Sequence, residues 1–250
     1  MRAVVELLAG ARRLVIFTGA GVSAESGIPT FRDALGGLWA RYDPAALATP
    51  AAFADDPALV WGWYEWRRLK VLGVQPSPAH RAIAALSGRI ADTRLVTQNV
   101  DDLHERAGSR DVLHLHGSLH APRCATCAAA YRDALPDSVE PEEGRRIEPP
   151  RCPACGGQVR PGVVWFGEAL PEAALREAFA AACECDLLLS VGTSGVVQPA
   201  ARIPGLALEH GASVVHVNPQ PVRTRHPREH CLVGPAGEVL PELLRRAFPG

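Results

Sequence analysis

Lysine is almost missing from this chain. Lys70 is the single one among 26 basic residues, and arginine supplies the rest. This bias fits GC-rich coding or adaptation to heat and assigns no function. Excess charge is missing too. Basic and acidic residues number 26 and 27, a net charge of −1, so no whole-chain basic field exists to grip nucleic acid. Long apolar runs are absent. The uncharged stretch Leu187 to Ala201 is too short for a membrane span and contains Gly, Gln and Pro. Glu6, Arg12 and Arg13 interrupt the N-terminal apolar stretch, which argues against a signal peptide. No internal repeat is visible. Gly (23) and Pro (22) stay below the roughly 25–30% typical of low-complexity chains. A reducing cytoplasm is the expected compartment, where seven cysteines point to metal or chemistry before disulfides.

What is present is a chain of 250 residues, 47% hydrophobic, enough for one or two domains with a sizeable core. Four short, β-branched apolar segments read as buried parallel strands: 13–18, 94–97, 186–191 and 213–218. Helical patterns lie between them, most clearly over 1–11 and 171–183. Strands alternating with helices predict an α/β layered domain around a parallel sheet. Two stretches break the alternation. One, near 36–80, holds Trp39, Trp61, Trp63 and Trp66. The other, near 120–160, holds four cysteines and a polar loop. The expected division is a sheet domain from 1–35, 81–118 and 165–250, with 36–80 and 119–164 forming a smaller domain.

Cys124-x2-Cys127 and Cys152-x2-Cys155 lie 24 residues apart. Two such knuckles can set four thiolates at the corners of a tetrahedron, the geometry of Zn²⁺. Four protein ligands leave no open position, so one structural zinc ion is expected. Cys183, Cys185 and Cys231 read as small core residues. The first strand runs into Gly19-Ala-Gly-Val-Ser-Ala-Glu-Ser-Gly27, a glycine-rich strand-to-helix turn able to approach a pyrophosphate. Its spacing is not G-x-G-x-x-G, and alone it is equally compatible with a tight turn.

The loop continues as Ile28-Pro-Thr-Phe-Arg32. Thr97-Gln-Asn-Val-Asp101, His114-Leu-His-Gly-Ser118, the cysteine knuckles and Gly192-Thr-Ser194 follow in order. This set, spread over nearly the whole chain, resembles the sirtuins, the NAD-dependent protein-lysine deacylases. The resemblance implies a Rossmann-like NAD-binding sheet domain with an inserted zinc-binding and helical module. It also implies that Gly19, Ala20, Gly21 and Ser23 hold the NAD phosphates and adjacent ribose. Phe31 and Arg32 would cover the nicotinamide ribose, and Gln98, Asn99 and Asp101 would line the nicotinamide pocket. Gly192, Thr193, Ser194, Asn218 and Ala236 would serve the adenosine side. The spacing from Phe31 to Trp39 is one residue longer than usual in the family, which bears on that loop's conformation.

The chemistry asks for a group that takes a proton from a ribose hydroxyl near neutral pH, and histidine suits it. His104, His114, His116 and His120 are candidates. His114 and His116 are expected on one face of a strand. The family's base immediately precedes the glycine, which selects His116; the other three read as structural or exposed. Residues 61–68 read as helical, placing Tyr64 and Arg67 at i and i+3. The family branch that removes succinyl and malonyl groups carries Tyr-x-x-Arg here and a small residue where Ala48 stands. Arg67 would grip a distal carboxylate while Tyr64 donates its O–H. Val163, Phe166 and Gly167, in Val163-Val-Trp-Phe-Gly-Glu168, would pair with the substrate peptide as an added strand.

The expected function is therefore an NAD-dependent deacylase acting on succinyl-, malonyl- and acetyl-lysine of proteins or peptides, giving nicotinamide and O-acyl-ADP-ribose. The expected cofactors are NAD and one structural Zn²⁺. A monomer is expected, with neither nucleic acid nor membrane as partner. Mono-ADP-ribosyl transfer to protein and a non-catalytic NAD or peptide sensor are the alternatives.

Overall fold

The computed structural model describes residues 1–29, 41–135 and 144–249. The apolar face of helix α1 (Arg2–Gly10), with Val4 and Leu8 buried, delivers the chain into strand β1 (Arg13–Thr18). After β1 come a one-turn helix α2 (Gly21–Ala24) and three helices, α3 (Pro44–Leu47), α4 (Pro50–Asp55) and α5 (Pro57–Leu72). Then follow α6 (Pro78–Ser87), β2 (Asp92–Thr97), α7 (Leu103–Arg106), β3 (Leu113–His114) and a two-stranded ladder of β4 (Arg123–Cys124) with β5 (Val159–Arg160). The chain closes with α8 (Glu172–Glu184), β6 (Leu187–Val191), α9 (Ile203–Glu209), β7 (Ser213–Asn218), β8 (Glu229–Val233) and α10 (Ala236–Ala247).

Among the described residues, six strands form one parallel sheet in the order β3-β2-β1-β6-β7-β8. The side chains of β1 alternate between two cores, as the period of a strand requires. Leu14 and Ile16 join Ile83, Leu86, Leu240 and Leu243 beneath α6 and α10. Val15 and Phe17 join Ala178, Ala182, Ile203 and Ala207 beneath α8 and α9. A sheet covered on both faces explains why its central strands read as continuous apolar runs. The α/β reading of the sequence is borne out, as is the smaller helical and cysteine-bearing insert.

Local signals set the helices of that insert. Thr49 and Asp56 each cap a helix that begins with proline, accepting from the amides of Ala52 and Leu59. Helix α5 is buried on nearly every side, its Glu65 and Arg68 included as an ion pair at 3.1 Å, so other elements enclose it. Trp63, Tyr64 and Trp66 pack there with Leu47, Ala48, Phe53, Val163 and Trp165 in a third core.

The edge strand β8, with its half-exposed pattern, and the short β4–β5 pair escaped the sequence reading, and the strand expected to carry His114 and His116 is the two-residue β3. The shared strand face for His114 and His116 is corrected: β3 ends at His114, and His116 lies beyond it. Among the leftover cysteines, Cys185 is buried, while Cys183 and Cys231 are only half-buried. No helix among the described residues is long and apolar enough to cross a membrane.

Candidate functional site

Strand order reverses at β1. From it the chain builds outward to β2 and β3, then returns to add β6, β7 and β8 on the other side. Loops leaving the carboxyl ends of β1 and β6 therefore diverge there and open a crevice, the usual ligand position in such sheets. The two loops touch. The amide of Gly21 donates to Gly192 O at 3.0 Å, and a Cβ on Gly21 would stand 2.7 Å from Gly192 Cα. Gly192 itself has φ +62°. Glycine is required on both sides of this approach.

The candidate cofactor residues gather around the crevice. Asn99 Nδ2 donates to Ser23 Oγ at 2.9 Å, and Ser23 Oγ donates to Asp101 Oδ2 at 2.9 Å. All three side chains are buried. Burial raises the carboxyl pKa of Asp101 against the Ser23 bond and the Leu103 amide. On the far side, Asn218 Nδ2 donates to Thr193 O at 3.3 Å. Ala236 is buried at the start of α10, where the next amide, Gly237, donates to the Glu25 carboxylate at 2.9 Å. Gly19 is buried, while Ala20 and Ser194 are exposed. Phe31, Arg32 and Trp39 lie outside the described residues.

His116 Nδ1 lies 2.9 Å from Gln98 O. A carbonyl can only accept, so Nδ1 carries the proton and Nε2 keeps its lone pair. Burial lowers the His116 pKa against the opposing Gln98 bond, so the ring is a neutral base at pH 7. The backbone of His116 is tied in turn: its carbonyl accepts from Val164 N at 2.8 Å.

The acyl-pocket candidates also meet. Trp165 Nε1 donates to the Tyr64 hydroxyl at 3.0 Å, leaving the Tyr64 O–H free to donate elsewhere. Burial pushes the Tyr64 pKa up to about 12, so that proton stays on. The Arg67 guanidinium stands 5.0 Å from the Trp63 ring centroid and 5.8 Å from that of Tyr64. Burial lowers its pKa while Tyr64 and Asp101 raise it. Arginine nonetheless stays charged in proteins. Trp63, Trp66, Arg67, Val100 and Asp101 line one cavity, whose lining does not include Tyr64 or Ala48. Phe166 N donates to Ala48 O at 2.9 Å, Val163 is buried, and the Phe166 side chain is exposed. Gly167 follows in a left-handed turn, φ +87°.

The four knuckle sulfurs lie within 4.8 Å of one another. Zn–S bonds of about 2.3 Å make a tetrahedron with edges of about 3.8 Å, so the cluster fits the ion. The amides of Cys127 and Thr126 donate to Cys124 Sγ at 3.4 and 3.3 Å, hydrogen bonds that favour the thiolate a metal needs.

Behind these groups lies a layer of which sequence reasoning named only His104, as structural or exposed; the structure shows it buried and structural. The Thr18 hydroxyl donates to Thr97 Oγ1 at 2.8 Å and lies 2.9 Å from His104 Nε2. His104 packs edge-on to His80, with centroids 4.8 Å apart. Pairing of β1 with β2 and packing of α6 against α7 bring these residues together, so no local pattern signals them. Burial lowers the pKa of His80 to about 4 and of His104 to about 3. Unfolded histidines take up protons below about pH 6.5, whereas these two refuse them until far lower. Their stabilising contribution is therefore complete above that pH and is lost as pH falls below it. At about 1.4 kcal/mol per unit, acidification to about pH 5 should cost roughly 3–4 kcal/mol. Thermal melts should show a midpoint roughly 5–10 °C lower at about pH 5 than at about pH 7.5. An unchanged midpoint would contradict the neutral buried pair.

A family model described as Sir2 matches residues 19–199. The chain belongs to the Sir2 family. A Pseudomonas aeruginosa protein named NAD-dependent protein deacylase 1 is 99% identical over 250 residues, covering all of both chains. A solved Sir2 homologue–NAD complex shares 45% identity with a TM-score of 0.85, covering 99% of this chain and 93% of its own. A structure of Sir2Af2 bound to a myristoylated histone peptide shares 35% identity with a TM-score of 0.74, covering 98% and 95%. This Sir2 member is accordingly an NAD-dependent protein deacylase with one structural zinc site in its cysteine cluster.

Proposed function

We propose that this deacylase prefers lysines carrying short acidic acyl groups, succinyl and malonyl, and also accepts acetyl-lysine. Nicotinamide and O-acyl-ADP-ribose would be its products. The observation carrying the preference is the Arg67 guanidinium 5.8 Å from the ring centroid of Tyr64, whose hydroxyl keeps its proton, beside buried Ala48 in an aromatic cage. A chain-end carboxylate entering there would meet one fixed cation and one neutral donor, with little competing water. The peptide would run along 163–168, with Val163, Phe166 and Gly167 as its contacts.

In this reading the phosphates and adjacent ribose rest on Gly19, Ala20, Gly21 and Ser23. Gln98, Asn99 and Asp101 hold nicotinamide, and Phe31 and Arg32 cover its ribose. Gly192, Thr193, Ser194, Asn218 and Ala236 hold the adenosine side. Bound NAD supplies a ribose carbon with a good leaving group, at which the acyl oxygen of the substrate reacts. The protein's part is to fix that pose and exclude water, and His116 Nε2 takes the proton from a ribose hydroxyl.

Arg67→Met tests the acyl preference. Hydrogen bonds to charged groups are worth roughly 1.5–3 kcal/mol, so kcat/KM for a succinyl peptide should fall about 10–150-fold. The value for the matching acetyl peptide should stay within about threefold. An equal loss on both would remove Arg67 from acyl recognition.

A further inference from the structure

His114 is one of the histidines the reaction leaves unused, and both of its ring nitrogens face an acceptor. Its Nδ1 lies 3.0 Å from Asn99 O and its Nε2 lies 2.7 Å from Glu105 Oε1. A backbone carbonyl and a carboxylate are both acceptors. A neutral imidazole has one N–H and would set a lone pair against one of them. Only the imidazolium, with two N–H groups, satisfies both contacts. His116 makes the parallel contact one residue earlier, to Gln98 O. Two rings thus hold consecutive carbonyls of the segment 98–99.

We propose that His114 is a positioning residue for the cofactor crevice: as an imidazolium it straps the Asn99 carbonyl to Glu105 on α7, and deprotonation releases that strap. The proposal rests on the reading of Asn99 as part of the nicotinamide pocket. Asn99 also donates to Ser23, so slack in its backbone reaches the cofactor loop and, through Ser23, Asp101.

The surroundings favour the charged ring. Glu105 and His104 face it from α7, and Asp101 faces it from the loop after β2. His104 is held neutral by burial and adds no opposing charge at neutral pH. Burial works against charge on His114, but the bonds to Glu105 and Asn99 and the fields of Glu105 and Asp101 outweigh it and raise its pKa above the usual histidine value. His116, two residues on, has no carboxylate partner among the described residues, and burial moves it the other way. Opposite shifts on neighbouring titratable groups produce a bell. Protonation of His116 sets the acid limb and deprotonation of His114 the alkaline limb.

The test is kcat/KM for NAD from about pH 5.5 to about 9.5, at saturating acyl-peptide, in the wild type, Glu105→Gln and His114→Gln. Melting midpoints are recorded at each pH. In the wild type an alkaline limb above about pH 6.5 should cost about three- to tenfold, a modest figure because Glu105 is partly exposed. Glu105→Gln should move that limb about one pH unit lower and leave the acid limb in place. His114→Gln should flatten the alkaline limb, because the amide does not titrate. Histidine NMR of the wild type and Glu105→Gln follows the His114 ring directly, without turnover. A ring titrating at or below about pH 6.5, or an alkaline limb unmoved by Glu105→Gln, overturns the proposal, as does a limb that tracks unfolding. Absence of nicotinamide release from the wild type would refute the proposed pocket instead, while the ring titration would still report the strap.

Discussion

His116→Tyr should leave a folded, zinc-bearing protein that has lost about 10²–10⁴-fold in deacylation rate, the range supplied by a positioned general base. The expectation follows from one contact. Nδ1 is committed to Gln98 O, so the lone pair on Nε2 is available to a substrate hydroxyl, and burial keeps the ring neutral at pH 7. A tyrosine hydroxyl, with an unperturbed pKa near 10, supplies no comparable base. The fold should survive because the ring is half-buried and lies beyond the end of β3 rather than in either sheet core. Discharge of labelled acyl peptide in a single turnover is the measurement, with melting curves as the control. Retention of more than about a tenth of wild-type rate would mean that another group takes the proton. The loss should be seen with acetyl and succinyl peptides alike, which separates it from the acyl-selective effect of Arg67→Met.

The parts of this site that were legible in the sequence are those whose chemistry depends on short spacing. Paired Cys-x2-Cys knuckles, Tyr64 with Arg67 on one helix, and glycines following an apolar β1 are local statements, and each found its partners in the structure. The sheet was legible because both its faces are covered, which makes its central strands apolar throughout. The edge strand β8 was not, since it is half-exposed, and the strand expected through His114 and His116 stops at two residues. Nor was the layer beneath the site. Thr18 meets Thr97 and His104 only because β1 and β2 pair in register. Glu105 reaches His114 only because the chain turns through α7 and returns as β3. Such contacts are set by register and loop path, and single-chain patterns carry neither.

Stripping zinc should disable the enzyme although the metal site carries no reaction chemistry. The β4–β5 ladder is two residues deep, supported by single bridges at Arg123–Ala130 and Arg151–Gln158. So small a ladder is at best marginal alone. Metal binding worth roughly 10–16 kcal/mol in small zinc modules would dominate its folding. The damage would not stay local. Arg160, the last residue of β5, donates to both Glu168 oxygens and to Val163 O, and its guanidinium lies 3.5 Å from the Trp165 ring centroid. The same segment donates from Val164 to His116 O and from Phe166 to Ala48 O, and Trp165 holds the Tyr64 hydroxyl. Losing the knuckles should therefore release the backbone on which both the base and the acyl pocket depend. Chelation, or Cys152→Ser, should reduce activity to below about a tenth, with increased proteolysis of 119–164 while the parallel sheet persists. Re-adding zinc should restore activity in the chelated protein and not in the variant. Full activity in protein shown by metal analysis to hold less than about a tenth of an equivalent of zinc would mean that the 163–168 segment keeps its place without the metal.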